Sequence, residues 1–159
     1  MGKLRNEDLS VYFFVKNIIG SYVTSVVDSY PYNEIETGTL IVPSASIEHK
    51  LTAEIGGELG AAWFERDWSV DIFASTDTQR DDLGDLLYAA LDNAIPIRDY
   101  SSGFNADTGK SIIGVDLRII EYVSPEDRTL KPTYGFGFGN KNKYWRVNVS
   151  FSTKSTKAQ

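Results

Sequence analysis

The sequence contains no cysteine, one histidine and no long apolar run. Without cysteine the chain can form no disulfide, no zinc–thiolate site and no cysteine nucleophile, which fits a reducing compartment. The longest apolar run near the start is residues 11–15, and Lys16 ends it. We therefore expect no membrane span and no signal peptide, and a soluble protein that is made without export.

Length and charge limit the architecture and the partners. The chain has 159 residues, of which 42% are apolar, enough for the core of one domain. We expect a single α+β domain over residues 1–153 and a flexible polar tail over residues 154–159. The formal net charge of −6 makes sequence-independent binding of nucleic acid unfavourable, because few phosphates would be neutralised.

Apolar residues near the start recur at steps of three and four. This spacing predicts a helix from about Glu7 to Val27, with Asn6 as its cap and Tyr30-Pro31 beyond its end. The apolar positions are Leu9, Tyr12, Phe13, Ile19, Tyr22, Val23 and Val26. The stripe is wide, which indicates packing against more than one surface.

Two period-two segments follow, separated by a glycine turn. Ser46–Ile55 alternates apolar with polar residues, and Ala62–Ala74 does the same around Trp68. Gly56-Gly57 is typical of a turn, so the two segments predict an antiparallel hairpin. His49 falls on the apolar side, where a core or interface histidine is a better interpretation than a catalytic base.

Thr76 and Gln79 match a capping box, which predicts the start of a second helix. Its apolar face is predicted to carry Leu83, Leu86, Leu87, Ala90 and Leu91, with Arg80 directed away. Strands are predicted at Ser111–Val123 and Tyr144–Thr153. The expected fold is α+β: an antiparallel or mixed sheet flanked by a long N-terminal helix and a second amphipathic helix.

The long loop Ser124–Lys143 alternates glycine with phenylalanine. Exposed Phe136 and Phe138 would be a liability in a free monomer, which favours contact with another subunit. Together with Tyr134 and Trp63 they are the candidate subunit interface. The alternative is a loop that folds back on its own domain.

The sequence contains two segments that resemble nucleotide-binding motifs, and both are incomplete. Gly103–Ser111 resembles a phosphate loop, but it has five residues between its glycines where the motif needs four, and a strand is predicted to follow. Gly135–Asn140 begins like a dinucleotide fingerprint and lacks its last glycine. We therefore expect no catalytic, cofactor-binding or metal-binding residues.

Charged clusters are expected to be solvated. Asp77, Asp81, Asp82 and Asp85 surround one helix start, where acidic groups suit the helix dipole, and they lack a calcium-loop pattern. Glu65 and Asp67 flank Arg66 in a pattern typical of a strand edge.

The segments Val70–Leu91 and Trp145–Phe151 carry a family resemblance. A strand that ends in a polar capped turn, then an acidic helix with a leucine stripe, then a closing strand resembles the tail-terminator and neck-ring (tail completion) proteins of long-tailed bacteriophages. With the first helix, the likeness covers about two-thirds of the chain.

The resemblance implies a structural virion protein without catalytic activity. Six copies would form a ring at the head-proximal end of the tail, stop tail-tube polymerisation and dock the head-closure connector. Its partners would be itself, the tail-tube protein and the head-closure protein, first in the host cytoplasm and then in the virion. DNA would pass through without specific binding.

Ring formation suggests roles for particular surfaces. A closed ring uses two different patches of each subunit, and Asp81, Asp82 and Asp85 are candidates for an acidic lumen that repels phosphate. Three alternatives stay open: another neck or tail-tube ring component, a monomeric ligand-binding α+β domain, and, least favoured, a nucleotide-dependent enzyme using Gly103–Ser111.

Overall fold

The computed structural model describes residues 3–55, 63–109, 116–119, 122–123, 129–133 and 144–156. Its helices are α1 (Lys3–Ile19), α2 (Tyr32–Thr37) and α3 (Asp77–Ala90). Its strands are β1 (Ser25–Val27), β2 (Ser44–Ile55), β3 (Trp63–Ala74), β4 (Pro96–Arg98), β5 (Asp116–Ile119), β6 (Tyr122–Val123), β7 (Thr129–Thr133) and β8 (Trp145–Thr156). The predicted α+β class is confirmed.

Six of these strands form one mixed sheet. The order is β1-β2-β3-β8, and both β6 and β7 pair with the far side of β8. β1 runs parallel to β2, whereas the other pairs are antiparallel, including the predicted hairpin of β2 and β3. β4 and β5 form a separate two-stranded ladder.

The core lies between one face of the sheet and the helices α1 and α3. Residues of all three longest strands and of both helices share one buried apolar cluster. Its members include Val11, Val15, Ile19, Ala45, Ile47, Val70, Ile72, Leu83, Leu87, Leu91, Val147, Val149 and Phe151. Of the predicted helix stripe, Leu86 is exposed and Ala90 is half-buried, because the face of α3 toward the sheet is narrower than the pattern suggested.

The predicted first helix was too long at its C-terminal end. α1 ends at Ile19, where the Gly20 amide donates to the Lys16 carbonyl at 2.7 Å. A Cβ on Gly20 would lie 2.2 Å from the Lys16 carbonyl oxygen, so the chain leaves the helix at a position that only glycine fits. The β-branched residues that follow pair with β2 instead of extending the helix.

Asn6 is not the cap of α1, because the helix already includes it. Its side-chain oxygen accepts a hydrogen bond from the Tyr100 amide at 3.2 Å. One turn later, the Ser10 hydroxyl donates to the Asn6 carbonyl and accepts from the Arg98 amide. These polar side chains of α1 therefore hold the segment around β4 against the helix.

The alternation predicted for β2 is interrupted. His49 pairs with Trp68, but Leu51 pairs with Asp67, so the register shifts by one residue between them. A bulge of this kind redirects the chain locally. His49 lies next to the bulge and is exposed, not inward as predicted, with its ring centroid 5.5 Å from that of Trp68.

The C-terminal part of the chain contains more strand than predicted. β7 lies within the segment that was expected to be a loop, and β8 continues to Thr156, so residues 154–156 belong to the sheet and not to a tail. The extension has a partner, because the buried Ser155 hydroxyl donates to Glu7 of α1 at 2.7 Å. The predicted strand Ser111–Val123 is described only at β5 and β6, and β5 pairs outside the main sheet.

The predicted cap of α3 is confirmed. Thr76 has extended backbone angles, and its hydroxyl accepts a hydrogen bond from the Gln79 amide at 3.1 Å. The Gln79 side chain returns to the Ser75 amide at 3.0 Å, one residue earlier than in the usual box. Both bonds satisfy groups at a helix end that lacks intrahelical partners.

Thr76→Ala should lower the free energy of unfolding by about 1 kcal/mol, because the Gln79 amide loses its acceptor. Thr78→Ala is the matched control, because Thr78 is an exposed threonine two residues after Thr76 and does not cap the helix. Urea unfolding followed by circular dichroism measures both. Equal losses in the two variants would contradict the role of the cap.

Candidate interaction surface

The predicted interface residues are only partly within the described structure. Tyr134, Phe136 and Phe138 lie outside the described residues. The backbone of Trp63 begins β3 and pairs with Ile55 on one side and Thr156 on the other. The interface role of these four residues stays a prediction.

The three candidate lumen residues lie exposed on α3. Arg80 Nε donates to the Asp81 carboxylate at 2.8 Å, and this hydrogen bond holds the pKa of Asp81 below its ordinary value. Asp82 faces a shallow cleft that also includes Tyr22 and Leu86. Whether Asp81, Asp82 and Asp85 line a lumen stays a prediction.

Arg80 itself was predicted to point away from the core, and this was wrong. It is buried, with its guanidinium carbon 5.4 Å from the ring centroid of Trp145 on β8. An arginine stem can cover apolar surface while its charged end stacks on an aromatic ring. The side chain therefore helps to attach α3 to the sheet.

The loop that resembles a phosphate loop is closed by its own side chains. The Asn105 side-chain oxygen accepts from the amides of Asp107 and Thr108 at 2.8 and 3.2 Å. Lys16 Nζ donates to the Ala106 carbonyl at 3.2 Å, which ties the loop to α1. Two amides that a phosphate would need are thus already bonded, and Lys110 and Ser111 lie outside the described residues.

A buried ionic cluster, unrecognised in the sequence, joins α1 to the sheet. Arg66 on β3 is 2% exposed and donates to Glu7 at 3.2 Å and to Asp8. Its guanidinium carbon lies 4.5 Å from the ring centroid of Trp68, whose indole N–H donates to Thr153 on β8 at 2.9 Å. The local pattern indicated an edge strand, but β3 is central, between β2 and β8.

A second polar network lies on the other face of the sheet. Arg146 Nε and Asn148 Nδ2 both donate to the buried Asp71 carboxylate, at 2.9 and 3.1 Å. Asn148 also donates to Ser69, and Arg146 donates to the Tyr30 hydroxyl. Within each network the charged groups bond to one another, and both networks stabilise the packing of β3.

Exposed apolar side chains concentrate in the segment that connects α1 to β2. Among the described residues, five large apolar side chains are markedly exposed, and four of them lie between residues 22 and 41. These are Tyr22 at 58%, Val27 at 40%, Tyr32 at 71% and Ile41 at 66%. We call β1, α2 and residues 39–41 the edge surface; such a cluster marks a contact site more often than a free surface.

Two clefts are lined in part by β1. Cleft A has a volume of about 250 Å³ and is lined by residues that include Val27, Tyr30, Glu34 and Ile41. Cleft B, of about 480 Å³, lies against α1 and is lined by Tyr12, Phe13, Val26, Val27, Asp28 and Phe104, among others. Val27 lines both clefts, and each cleft contains a carboxylate, Glu34 in cleft A and Asp28 in cleft B.

Tyr12 attaches β1 to α1. Its hydroxyl donates to the Val26 carbonyl at 2.8 Å. Burial, and then the nearby Asp28 carboxylate, raise the pKa of Tyr12 above its ordinary value near 10. The neutral phenol is thus the form that the folded chain favours, and ionisation would remove the hydrogen bond.

The stability that comes from Tyr12 should be present below pH 10 and lost as the pH rises through the raised pKa of its phenol. Above pH 10, the stability of the Tyr12→Phe variant should therefore fall less steeply with pH than the stability of the wild-type chain. Thermal unfolding across this pH range measures the difference. Parallel curves for the two proteins would show that Tyr12 ionises freely in the fold.

The described residues contain neither a candidate membrane span nor a candidate metal cluster. None of the described helices has the length and apolar character that crossing a membrane requires. Within the same ranges, no group of three or more histidine, aspartate or glutamate side chains is placed to hold a metal ion.

Comparison with known proteins gives this chain no family: no family model matches the sequence, and no curated protein matches it significantly.

Proposed function

We propose that this chain is a ring-forming structural subunit of a long-tailed bacteriophage, the tail terminator at the head–tail joint. Six copies would cap the tail tube on one side and dock the head-closure connector on the other. The observation that carries the self-association is the edge surface, where the large apolar side chains of Val27, Tyr32 and Ile41 are exposed on or near an edge strand.

The sheet supports a role as a wall of a ring. β2, β3 and β8 each have 12 residues; β3 pairs with β8 along its full length and with β2 from Trp63 to Phe73, apart from the bulge in β2. Helices α1 and α3 cover one face of this sheet. A subunit built in this way can transmit load across a ring while its edges contact the neighbours.

The polar clusters of the chain support a structural role as well. Arg66 bonds to Glu7 and Asp8, and Asp71 bonds to Arg146, so these charged groups link elements of the fold to one another. An active site would instead direct such groups toward a cleft where a substrate can reach them.

Native mass spectrometry and electron microscopy of the purified chain test the proposal. The expected result is a six-fold ring, either in free solution or on the ends of isolated tail tubes. The rings should stop further addition of tail-tube protein to those ends. A chain that stays monomeric at every concentration and ignores tail tubes would contradict the proposal and favour a monomeric ligand-binding domain.

The acidic-lumen hypothesis has its own test. If Asp81, Asp82 and Asp85 face the lumen, replacing all three by asparagine should increase the retention of DNA by assembled rings, because phosphate is no longer repelled. Gel-shift assays at several salt concentrations measure this. Strong, salt-dependent DNA binding by the wild-type ring would count against an inert lumen.

A further inference from the structure

Two of the five markedly exposed apolar side chains lie outside the edge surface and line one groove. Tyr22, in the turn after α1, is 58% exposed, and Leu86 on α3 is 39% exposed. They come from distant parts of the sequence, yet both line the shallow cleft beside Asp82, whose volume is about 520 Å³. We call this cleft the α3 groove. Because the fold brings two exposed apolar side chains together there, the groove is a candidate contact site.

One side of α3 supplies most of the groove. Four of its lining residues follow the spacing i, i+3, i+4 and i+7 and so form one stripe along the helix: Gln79, Asp82, Leu83 and Leu86. Leu83 is 4% exposed and belongs to the core, whereas Leu86 stays open to solvent. At about 1.5 Å per residue the stripe is about 10 Å long, enough for about three residues of an extended chain.

The accessible charges beside the α3 groove are negative. Asp82 lines the groove, and Asp85 is exposed about one turn further along the helix. The one basic residue of α3, Arg80, is buried. Residues 17–27, which include the turn on the other side of the groove, contain no charged residue. An occupant with a positive charge would therefore find carboxylates and no competing cation among these residues.

The first turn of α3 is not suited to an anion. The Gln79 amide donates to the Thr76 hydroxyl at 3.1 Å, and the Thr78 amide donates to the Asp77 carboxylate at 2.8 Å. Helix N-termini bind phosphate through amides that are free to donate. Because these two amides are bonded and carboxylates lie beside them, the groove disfavours phosphate groups, and with them nucleic acids and anionic lipids.

An occupant that fits the α3 groove supplies an apolar group and a positive charge. The apolar group would pack between Tyr22 and Leu86, and the positive charge would lie near Asp82 or Asp85. We propose that the groove docks a short segment of another protein in which an apolar residue neighbours a lysine or arginine. The apolar anchor supplies affinity, and the attraction between opposite charges supplies specificity.

This inference goes beyond the ring function, because the α3 groove lies outside the edge surface that carries the self-association. It also differs from the acidic-lumen hypothesis, which needs the carboxylates of α3 and no apolar wall. Substitution of an apolar wall residue therefore separates the docking of a protein segment from the repulsion of DNA.

Three probes test the chemistry, and saturation-transfer NMR with the full chain detects weak binding to a monomer and to a ring alike. The first probe is a capped peptide of one phenylalanine, two lysines and two glycines. The second has glutamates in place of the lysines, and the third is spermidine, which is cationic and has no apolar side chain. The first should bind. The other two should bind at least about fivefold more weakly, because each lacks one of the two required groups.

Variants of the chain locate the binding. Leu86→Gln should weaken binding of the first probe about fivefold, since glutamine suits a helix but removes the apolar wall. Asp82→Asn with Asp85→Asn should weaken it about three- to tenfold at low salt and remove most of its salt dependence. The controls are Ala89→Gln, at an exposed position of α3 outside the groove, and Tyr32→Ser on the edge surface. Both controls should bind the first probe normally.

Some results would overturn the inference. These are equal binding of the three probes, no binding of the first probe at millimolar concentration, and equal binding by the groove variants and the wild-type chain. Displacement of the first probe by a double-stranded oligonucleotide would overturn it too, because the groove would then accept phosphate.

Assembly of the Leu86→Gln chain separates this inference from the proposed function. The expected result is normal rings that bind the first probe more weakly. If the substitution abolishes the rings, a second copy occupies the groove, so the inference fails and the ring function stands. A wild-type chain that binds the first probe and never assembles, with or without tail tubes, contradicts the proposed function and leaves the inference intact.

Discussion

Replacing Arg66 by methionine is expected to lower the free energy of unfolding by about 3–5 kcal/mol. Arg66 and Glu7 are both buried, and the substitution removes the guanidinium that donates to the Glu7 carboxylate at 3.2 Å. A buried charge that loses its counter-charge is costly, whereas methionine preserves much of the apolar stem. For a chain of this size the midpoint of thermal unfolding should fall by roughly 6–20 °C.

A double-mutant cycle tests the cause of this loss. Glu7→Gln removes the opposite charge, so Arg66→Met should cost clearly less in that background than alone. Urea unfolding of the four proteins gives the coupling free energy. Additive losses would mean that the two side chains do not stabilise each other, and that the cost of Arg66→Met comes from packing against Trp68.

Gly109→Ala is expected to destabilise the fold by about 2–5 kcal/mol, for two reasons. Gly109 has a φ of +69°, which an L-residue with a side chain adopts at a cost of about 1–2 kcal/mol. A Cβ there would also lie 2.2 Å from Cγ of Phe13, a buried residue of α1. Phe13 contacts Tyr100 and Phe104, so it has little room to move.

Two variants separate the backbone cost from the clash. Gly38→Ala introduces the same change at a φ of +72°, at the end of the short helix α2, and should show the backbone cost. Phe13→Leu should relieve part of the clash in the Gly109→Ala chain while costing stability in the wild type. Denaturant unfolding compares them. If Gly109→Ala costs no more than Gly38→Ala, then Phe13 moves aside freely.

Local signals in the sequence predicted the local parts of the fold. Thr76 and Gln79 cap α3 as expected, because both residues of the motif act within one turn of chain. The pairing of β2 with β3 followed from alternation and a glycine turn between neighbouring segments. Each of these features depends on contacts between residues that are close along the chain.

Long-range partners account for the elements that the sequence did not reveal. Arg66 resembles an edge charge beside Glu65 and Asp67, and its burial depends on Glu7, 59 positions earlier. Asn6 resembles a helix cap, yet its side chain binds Tyr100, 94 positions later. A polar residue whose partner is distant gives no local pattern, although Arg66 does share the alternation of Trp68 and Val70.

The candidate surface was only partly foreseeable for the same reason. The sequence drew attention to Phe136 and Phe138, but the edge surface was hidden because residues 23–27 were assigned to a helix. Once Gly20 ends α1, those residues become the edge strand β1, and Val27 and Tyr32 are exposed beside it. The close approach of Gly20 to the Lys16 carbonyl thus ends α1 and leaves the following residues to form the edge strand of the sheet.

The central strand β3 has neighbours on both sides, and its side chains are buried on both faces from Trp68 to Ala74. Its amide protons can therefore meet solvent deuterium only when the whole domain opens. β1 has one partner strand and three residues, so its amides need only a local opening. Isotope exchange in β3 would then report the integrity of each subunit, while exchange in β1 would report whether a neighbour occupies it.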